Sequence, residues 1–213
     1  MEAKDWPQVT NLLCVRLDSL GDVLMTTPAI RALKGAVPGR RISLMTSGSG
    51  ARAAAHVPEI DDVIRYDAPW LKSTAPRRDC RPDLRMIERV RAHAFEAAVI
   101  FTAYSQSPLP AALFCFLAGI PRTLAYCREN PYQLLAPWLK EPEPERGVRH
   151  EVQRQLDLAV HAGAAAGADT RLSFSIPAAS DAALTARLQA FGIDAEGEWV
   201  VVHPGATAPS RRY

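Results

Sequence analysis

Long apolar runs are missing from this sequence. The strongest membrane suspect, residues 109–120 (LPAALFCFLAGI), is twelve residues long, whereas a helix crossing a hydrocarbon core needs about 20. It therefore reads as a buried helix. The first six residues, Met1 to Trp6, carry no apolar core of the secretory type, so no signal peptide is expected. Charge of one sign is not in excess either: 25 Lys and Arg face 23 Asp and Glu, a formal net charge of +2. Dedicated nucleic-acid binders normally carry a basic surplus, so this balance argues against one. Cysteine is scarce. Cys14, Cys80, Cys115 and Cys127 form no CxxC pair and are expected to be reduced thiols in a cytoplasmic protein. His56, His93 and His161 occupy ordinary helix positions without metal-ligand spacing, so no metal is expected. A G-x-G-x-x-G run is absent, which disfavours a dinucleotide-dependent oxidoreductase.

What is present is an alternation of short β-rich runs and helical runs. The chain has 213 residues, 48% of them hydrophobic, enough for one well-buried core and part of a second. Residues 11–17 (NLLCVRL) form a continuous apolar strand, suited to a central parallel strand buried on both faces. A helix is expected over 22–37, stopped by Pro38-Gly39. Pro28 lies inside it, so the helix either kinks there or restarts with Thr27 as a cap. Strands follow at 41–46, 62–66, 97–102 and 122–126, with helices at 50–56, 82–93, 108–119 and 150–163. This alternation indicates an α/β domain with a mainly parallel sheet. After Gly163 the pattern changes. Residues 171–176 (RLSFSI) read as an extended linker or edge strand, 181–191 as a helix, and 199–202 (WVVV) as a new buried strand. That last unit looks unfinished, and the chain reads as a fragment.

Two segments carry chemistry. Where the first strand turns into the first helix, the sequence reads Arg16-Leu-Asp-Ser-Leu-Gly21-Asp22. In open α/β sheets ligands bind outside the carboxyl ends of strands, at such turns. Gly21 is expected to allow a tight bend and leave room for a ligand, and Asp22 to project from the helix start. Asp22 as a plain helix cap is the competing reading. The second segment follows the WVVV run: His203-Pro204-Gly205-Ala206-Thr207, with Arg211, Arg212 and Tyr213 after it. Backbone N–H groups in such a turn, with an arginine nearby, suit a diphosphate.

Together the two segments resemble glycosyltransferase family 9, the heptosyltransferases of the lipopolysaccharide inner core. That family opens with R-x-x-x-x-G-D-x-x-x-T-x-P-x-x-x-x-x-K after a strand, matched here by Arg16, Gly21, Asp22, Thr26, Pro28 and Lys34. Its second domain begins with a strand and P-G-A, then a basic residue near an aromatic, matched by Pro204, Gly205, Ala206, Arg211 and Tyr213. The helix start at His150-Glu-Val-Gln-Arg154 also fits. The sequence departs from the family in having Arg211 for the usual lysine and Tyr213 for the usual tryptophan, and arginine is not a silent replacement.

The resemblance implies a GT-B architecture. Residues 1–177 would form a Rossmann-like, acceptor-side domain, and 178–213 a linker with the truncated start of a Rossmann-like donor domain. It implies an inverting, metal-independent transferase with no cofactor and with Asp22 as general base. A nucleotide sugar, ADP-heptose in the family, would be held by Gly21, Pro204, Gly205, Ala206, Thr207 and Arg211. The acceptor would be a phosphorylated glycolipid, met by peripheral contact at the inner membrane surface. Between Lys72 and Arg91 there are seven basic and three acidic residues. This segment reads either as a solvated face or as an anion-binding rim, in which Lys72, Arg77, Arg78 and, from the later helix, Arg154 would hold the acceptor. A non-catalytic saccharide- or nucleotide-binding module is the alternative from another class.

Overall fold

The computed structural model describes residues 6, 8–72, 74–194 and 197–205. Five parallel strands make the main sheet: β1 (Asn11–Arg16), β2 (Arg41–Thr46), β3 (Asp62–Arg65), β4 (Ala97–Ile100) and β5 (Thr123–Leu124), in the order β3-β2-β1-β4-β5. β1 lies at the centre, in register with β2 from Asn11 opposite Arg41 and with β4 from Leu12 opposite Ala97. Its side chains alternate between two cores. Leu12 and Cys14 join one, Leu13 and Val15 the other, and all four are fully buried. That is why the run lacks polar residues: both faces of a central parallel strand are covered.

One core lies under α1 (Leu20–Ala36), α2 (Gly48–Ala54) and α5 (Glu151–His161), the other under α3 (Arg81–Ala92) and α4 (Leu109–Leu117). α2 reaches its place only because residue 50 is glycine. A Cβ there would fall 2.0 Å from Thr46 Oγ1 and 2.8 Å from a Val23 methyl.

α1 passes through Pro28 without stopping. Proline has no N–H for the carbonyl one turn earlier, Leu24 O, but the Thr27 hydroxyl donates to that carbonyl at 2.7 Å. Of the two expectations at Pro28, the restart is therefore excluded. The fifth predicted strand divides: β5 ends at Leu124, and β6 (Tyr126–Cys127) pairs instead with β7 (Leu139–Lys140) in a separate small sheet.

The chain separates into two compact units, Met1–Ser175 and Ile176–Tyr213. In the first, residues 171–175 run as a linker. Ser173 N–H donates to Thr27 Oγ1 at 2.9 Å, and Ser175 N–H to His56 O at 2.7 Å. The second unit holds α6 (Ala178–Ala190). The strand expected at 199–202 is not formed: these residues lie outside both sheets and Val200 is 87% exposed. Apolar, β-branched composition favours a strand, but a strand exists only through pairing with a neighbour, and four residues of sequence cannot supply one.

Candidate functional site

The strand order places the topological switch point between β1 and β4. From β1 the chain moves to β2 and β3 on one side, then returns to β4 on the other. Loops leaving the carboxyl ends of these two strands diverge and open a crevice, the usual ligand position in such sheets. Arg16 ends β1, and Asp18, Ser19 and Asp22 follow it.

Arg16 is 1% exposed and faces three carboxylates. Its Nε lies 3.0 Å from Asp18, Nη1 2.9 Å from Glu151 on α5, and Nη2 3.2 Å from Asp22. The contact with Asp22 is an aligned hydrogen bond, whereas Nε and Nη1 meet their carboxylates at ion-pair distance without that alignment. One buried guanidinium thus fixes the β1 loop, the start of α1 and the start of α5.

Asp22 sits in the first turn of α1, three residues after the N-cap, Ser19. The Ser19 N–H and hydroxyl both donate to Asp22 Oδ2, at 2.9 and 2.6 Å, and Arg16 donates to Oδ1. Asp22 is therefore the reciprocal partner of a cap and not the cap itself. Burial works to raise its pKa, but the Ser19 hydroxyl bond, the Arg16 charge and the Ser19 N–H outweigh it and hold the carboxyl below its ordinary value. The group is ionised at neutral pH. A carboxylate offers about four acceptor positions, of which Ser19 and Arg16 take three. With the side chain 39% exposed, one position remains open to a hydroxyl outside the protein.

Asp18 behaves in the opposite way. Burial pushes its carboxyl up, Arg16 and Gln106 pull it down, and Asp22 and Glu151 push it up again, with a raised value as the result. Gln106, from the loop after β4, donates to Asp18 Oδ1 at 2.7 Å and accepts from Ala103 N–H at 3.0 Å. This bond joins the two loops of the switch point. Beside it lies a pocket of about 260 Å³ lined by Asp18, Gln106, Ser107, Trp70, Leu71 and Phe101, among others.

No protein-family model and no curated protein matches the sequence. Solved structures do match. A glycosyl transferase of family 9 from Veillonella parvula superposes with a TM-score of 0.71 at 14% identity, over 95% of this chain and 55% of that one. The fold is that of glycosyltransferase family 9. Escherichia coli ADP-heptose LPS heptosyltransferase II follows with a TM-score of 0.63 at 16% identity, over 87% of this chain and 52% of that one. E. coli heptosyltransferase WaaC, solved with ADP-2-deoxy-2-fluoro heptose, gives 0.56 at 17% identity, over 71% and 48%. The chain spans about half the length of the structures it matches.

Set on this family 9 fold, the residues expected to form the site have different fates. Gly21 is not a turn glycine. It is an exposed helical residue in the first turn of α1, and the nearest neighbour of an added Cβ would be Ser19 Oγ at 3.8 Å. The bend is made earlier, at residues 17–19. Lys34 is structural: it donates to Asp61 at 2.5 Å, and Asp61 also accepts Ile42 N–H at 2.7 Å, which pins the approach to β3 against β2.

Arg154 is placed in the interior, 1% exposed, and not on a rim with Lys72. Its fork is bidentate on buried Glu141, at 2.8 and 2.5 Å, and its Nε donates to Thr102 O at 3.0 Å. Arg77 donates to Asp83 and to Asp67 O, so its guanidinium is engaged within the protein. Lys72 and Arg78 are exposed and make no ion pair among the described residues. Pro204 and Gly205 are exposed, while Ala206, Thr207, Arg211, Arg212 and Tyr213 lie outside the described residues.

The three buried cysteines carry no chemistry here. Burial pushes Cys14 and Cys115 up to about 12 and Cys127 to about 11, so these thiols stay protonated and are poor nucleophiles. No cluster of metal-ligating residues and no helix long and apolar enough to cross a membrane occurs among the described residues.

Sequence reading missed Asp18, Gln106, Glu151 and Trp70. Two of them were open to inference. Asp18 lies inside the quoted motif, and Gln106 lies in the Ser105-Gln-Ser-Pro loop that must leave β4 once β1 and β4 are recognised as the switch-point strands.

Proposed function

We propose that this chain is the acceptor-side domain of an inverting, metal-independent glycosyltransferase, with Asp22 as its general base. The observation that carries this reading is the Asp22 carboxylate itself: oriented by Ser19 and Arg16, ionised, and left with one open acceptor position at the mouth of the switch-point crevice. A sugar hydroxyl is a poor nucleophile. As its oxygen attacks the anomeric carbon of the donor, the hydroxyl proton passes to Asp22, and the bond from that carbon to the nucleoside diphosphate breaks on the opposite face. Base catalysis of this kind contributes about 10²–10⁴-fold.

The donor is a nucleotide sugar, ADP-heptose or a close relative, by analogy with the heptosyltransferases that share the fold. Its diphosphate would be held by Pro204, Gly205, Ala206, Thr207 and Arg211, a segment of the sequence that suits an anion. The acceptor is a phosphorylated glycolipid of the lipopolysaccharide-core type, with Lys72 and Arg78 as its free cations. The reaction takes place on the cytoplasmic side, at the inner membrane surface.

The deciding experiment is transfer of radiolabelled sugar from ADP-heptose to a lipopolysaccharide core acceptor by the complete protein, with Asp22→Asn alongside. Transfer by the wild type that the variant loses supports the reading. An inert wild type, or a variant as active as wild type, overturns it.

A further inference from the structure

The pocket beside Asp18 has no role in the base chemistry, yet it has the make-up of a carbohydrate subsite. We infer that it binds one neutral pyranose ring of the acceptor, with Trp70 as the apolar wall and Asp18 and Gln106 as the hydroxyl-binding pair; the assignment to an acceptor rests on the glycosyltransferase reading above.

Size is the first argument. At about 260 Å³ the pocket falls just short of the roughly 300–1,000 Å³ of a drug-sized site, which suits a single ring better than a nucleotide. Its walls are the second. Leu71, Phe101 and Pro108 are apolar, and the Trp70 indole, 37% exposed, is steadied by an edge contact with Tyr66 at 5.8 Å between ring centres. A pyranose presents a face of C–H groups and an edge of hydroxyls. An indole wall matches the face, and a carboxylate next to a carboxamide matches the edge.

The polar pair is also available. Asp18 is 17% exposed and accepts one aligned bond, from Gln106, while Arg16 lies 3.0 Å from its other oxygen. Each oxygen therefore keeps a free lone pair, and the Gln106 amide keeps a second N–H. Two neighbouring sugar hydroxyls need such a combination, one donating to the carboxylate and one accepting from the amide.

Charge sets the specificity. No lysine or arginine lines the pocket among the described residues, and the one guanidinium behind it, Arg16, is shared by three carboxylates. The local field is negative. A sugar acid or sugar phosphate would be repelled, so the ring held here is neutral, and acidic parts of an acceptor must lie elsewhere.

The test uses the 213-residue chain, a panel of neutral methyl pyranosides (gluco, manno and galacto) and the matching methyl uronates. Saturation-transfer NMR and tryptophan fluorescence follow binding. At least one neutral pyranoside should bind, with its uronate weaker by roughly ten-fold or more, and Trp70→Ala and Gln106→Ala should each cost roughly ten-fold. Trp70 is partly exposed, so its variant should fold, and thermal unfolding checks this. If no neutral pyranoside binds, if uronates bind equally well, or if both variants bind like wild type, the subsite is wrong. In the complete protein the two ideas separate. Transfer whose acceptor KM ignores Trp70→Ala removes the subsite and keeps the transferase. Pyranoside binding that persists without any transfer keeps the subsite and removes the transferase.

Discussion

Arg16 Nη2 stands 3.2 Å from Asp22 Oδ1, and the same guanidinium faces Asp18 and Glu151. The candidate base is thus held by a cation that no solvent reaches. Replacing Arg16 by Met leaves three carboxylates around a neutral side chain. Removing one partner of a buried ion pair typically costs about 3–5 kcal/mol, and a loss of that order is expected in urea unfolding. A variant within experimental error of wild type would mean that the three carboxylates are relieved by water.

Asp22→Asn keeps an oxygen for Ser19 but cannot take a proton. In the complete protein, kcat should fall by about 10²–10⁴-fold, with a modest fall in melting temperature because the amide NH2 would face the Arg16 donor. Because the folded pKa of Asp22 is lowered, the ionised base should persist into acid. The kcat/KM profile should be flat from neutrality and drop only below the ordinary carboxylate pKa of about 3.9. An acidic limb near neutrality would assign the base to another group.

Asp18 predicts the reverse linkage. A carboxyl with a raised folded pKa binds its proton more tightly in the native state than in the unfolded one. Its favourable contribution is present in acid and is lost as pH rises through that raised value. Asp18→Asn should therefore raise the melting temperature by a few degrees at neutral pH, with the gain shrinking as pH falls toward 4. Binding of pyranosides should weaken in the same variant. A melting temperature that is lower at every pH would show that the Arg16 pairing outweighs burial.

The basic segment divides into two classes of residue. Arg77 is engaged by Asp83 and Asp67, so Arg77→Ala should lower stability and leave acceptor KM near wild type. Lys72→Ala and Arg78→Ala should leave stability unchanged and raise acceptor KM several-fold at low ionic strength, an effect that fades with salt. Identical behaviour of all three variants would contradict the division.

Most of the first unit was legible because its signals are local. A central parallel strand must be apolar on both faces, and Leu12 to Val15 are; helix stops and strand alternation follow from single residues. What stayed hidden depends on who stands opposite whom. Arg154 looks like a surface cation until Glu141 is placed beside it, and Gly21 looks like a bend until the bend is found at residues 17–19. The run at 199–202 shows the converse, since strand-like composition yields no strand where, among the described residues, no partner strand lies beside it. The pocket of Asp18, Gln106 and Trp70 is assembled from loops after β1, β3 and β4, which no single stretch of sequence reveals.

The Thr27 hydroxyl bridges Leu24 O and Ser173 N–H, so the gap that Pro28 opens in α1 also anchors the departing chain. Arg31, one turn further along α1, adds bonds to Asp169 O at 2.9 Å and Arg171 O at 2.7 Å. The segment that leads out of the first unit is therefore fastened both to α1, through Thr27 and Arg31, and to His56 and Glu59 after α2. Removing the Thr27 hydroxyl would loosen two places at once, the helix at Pro28 and the hold on residue 173.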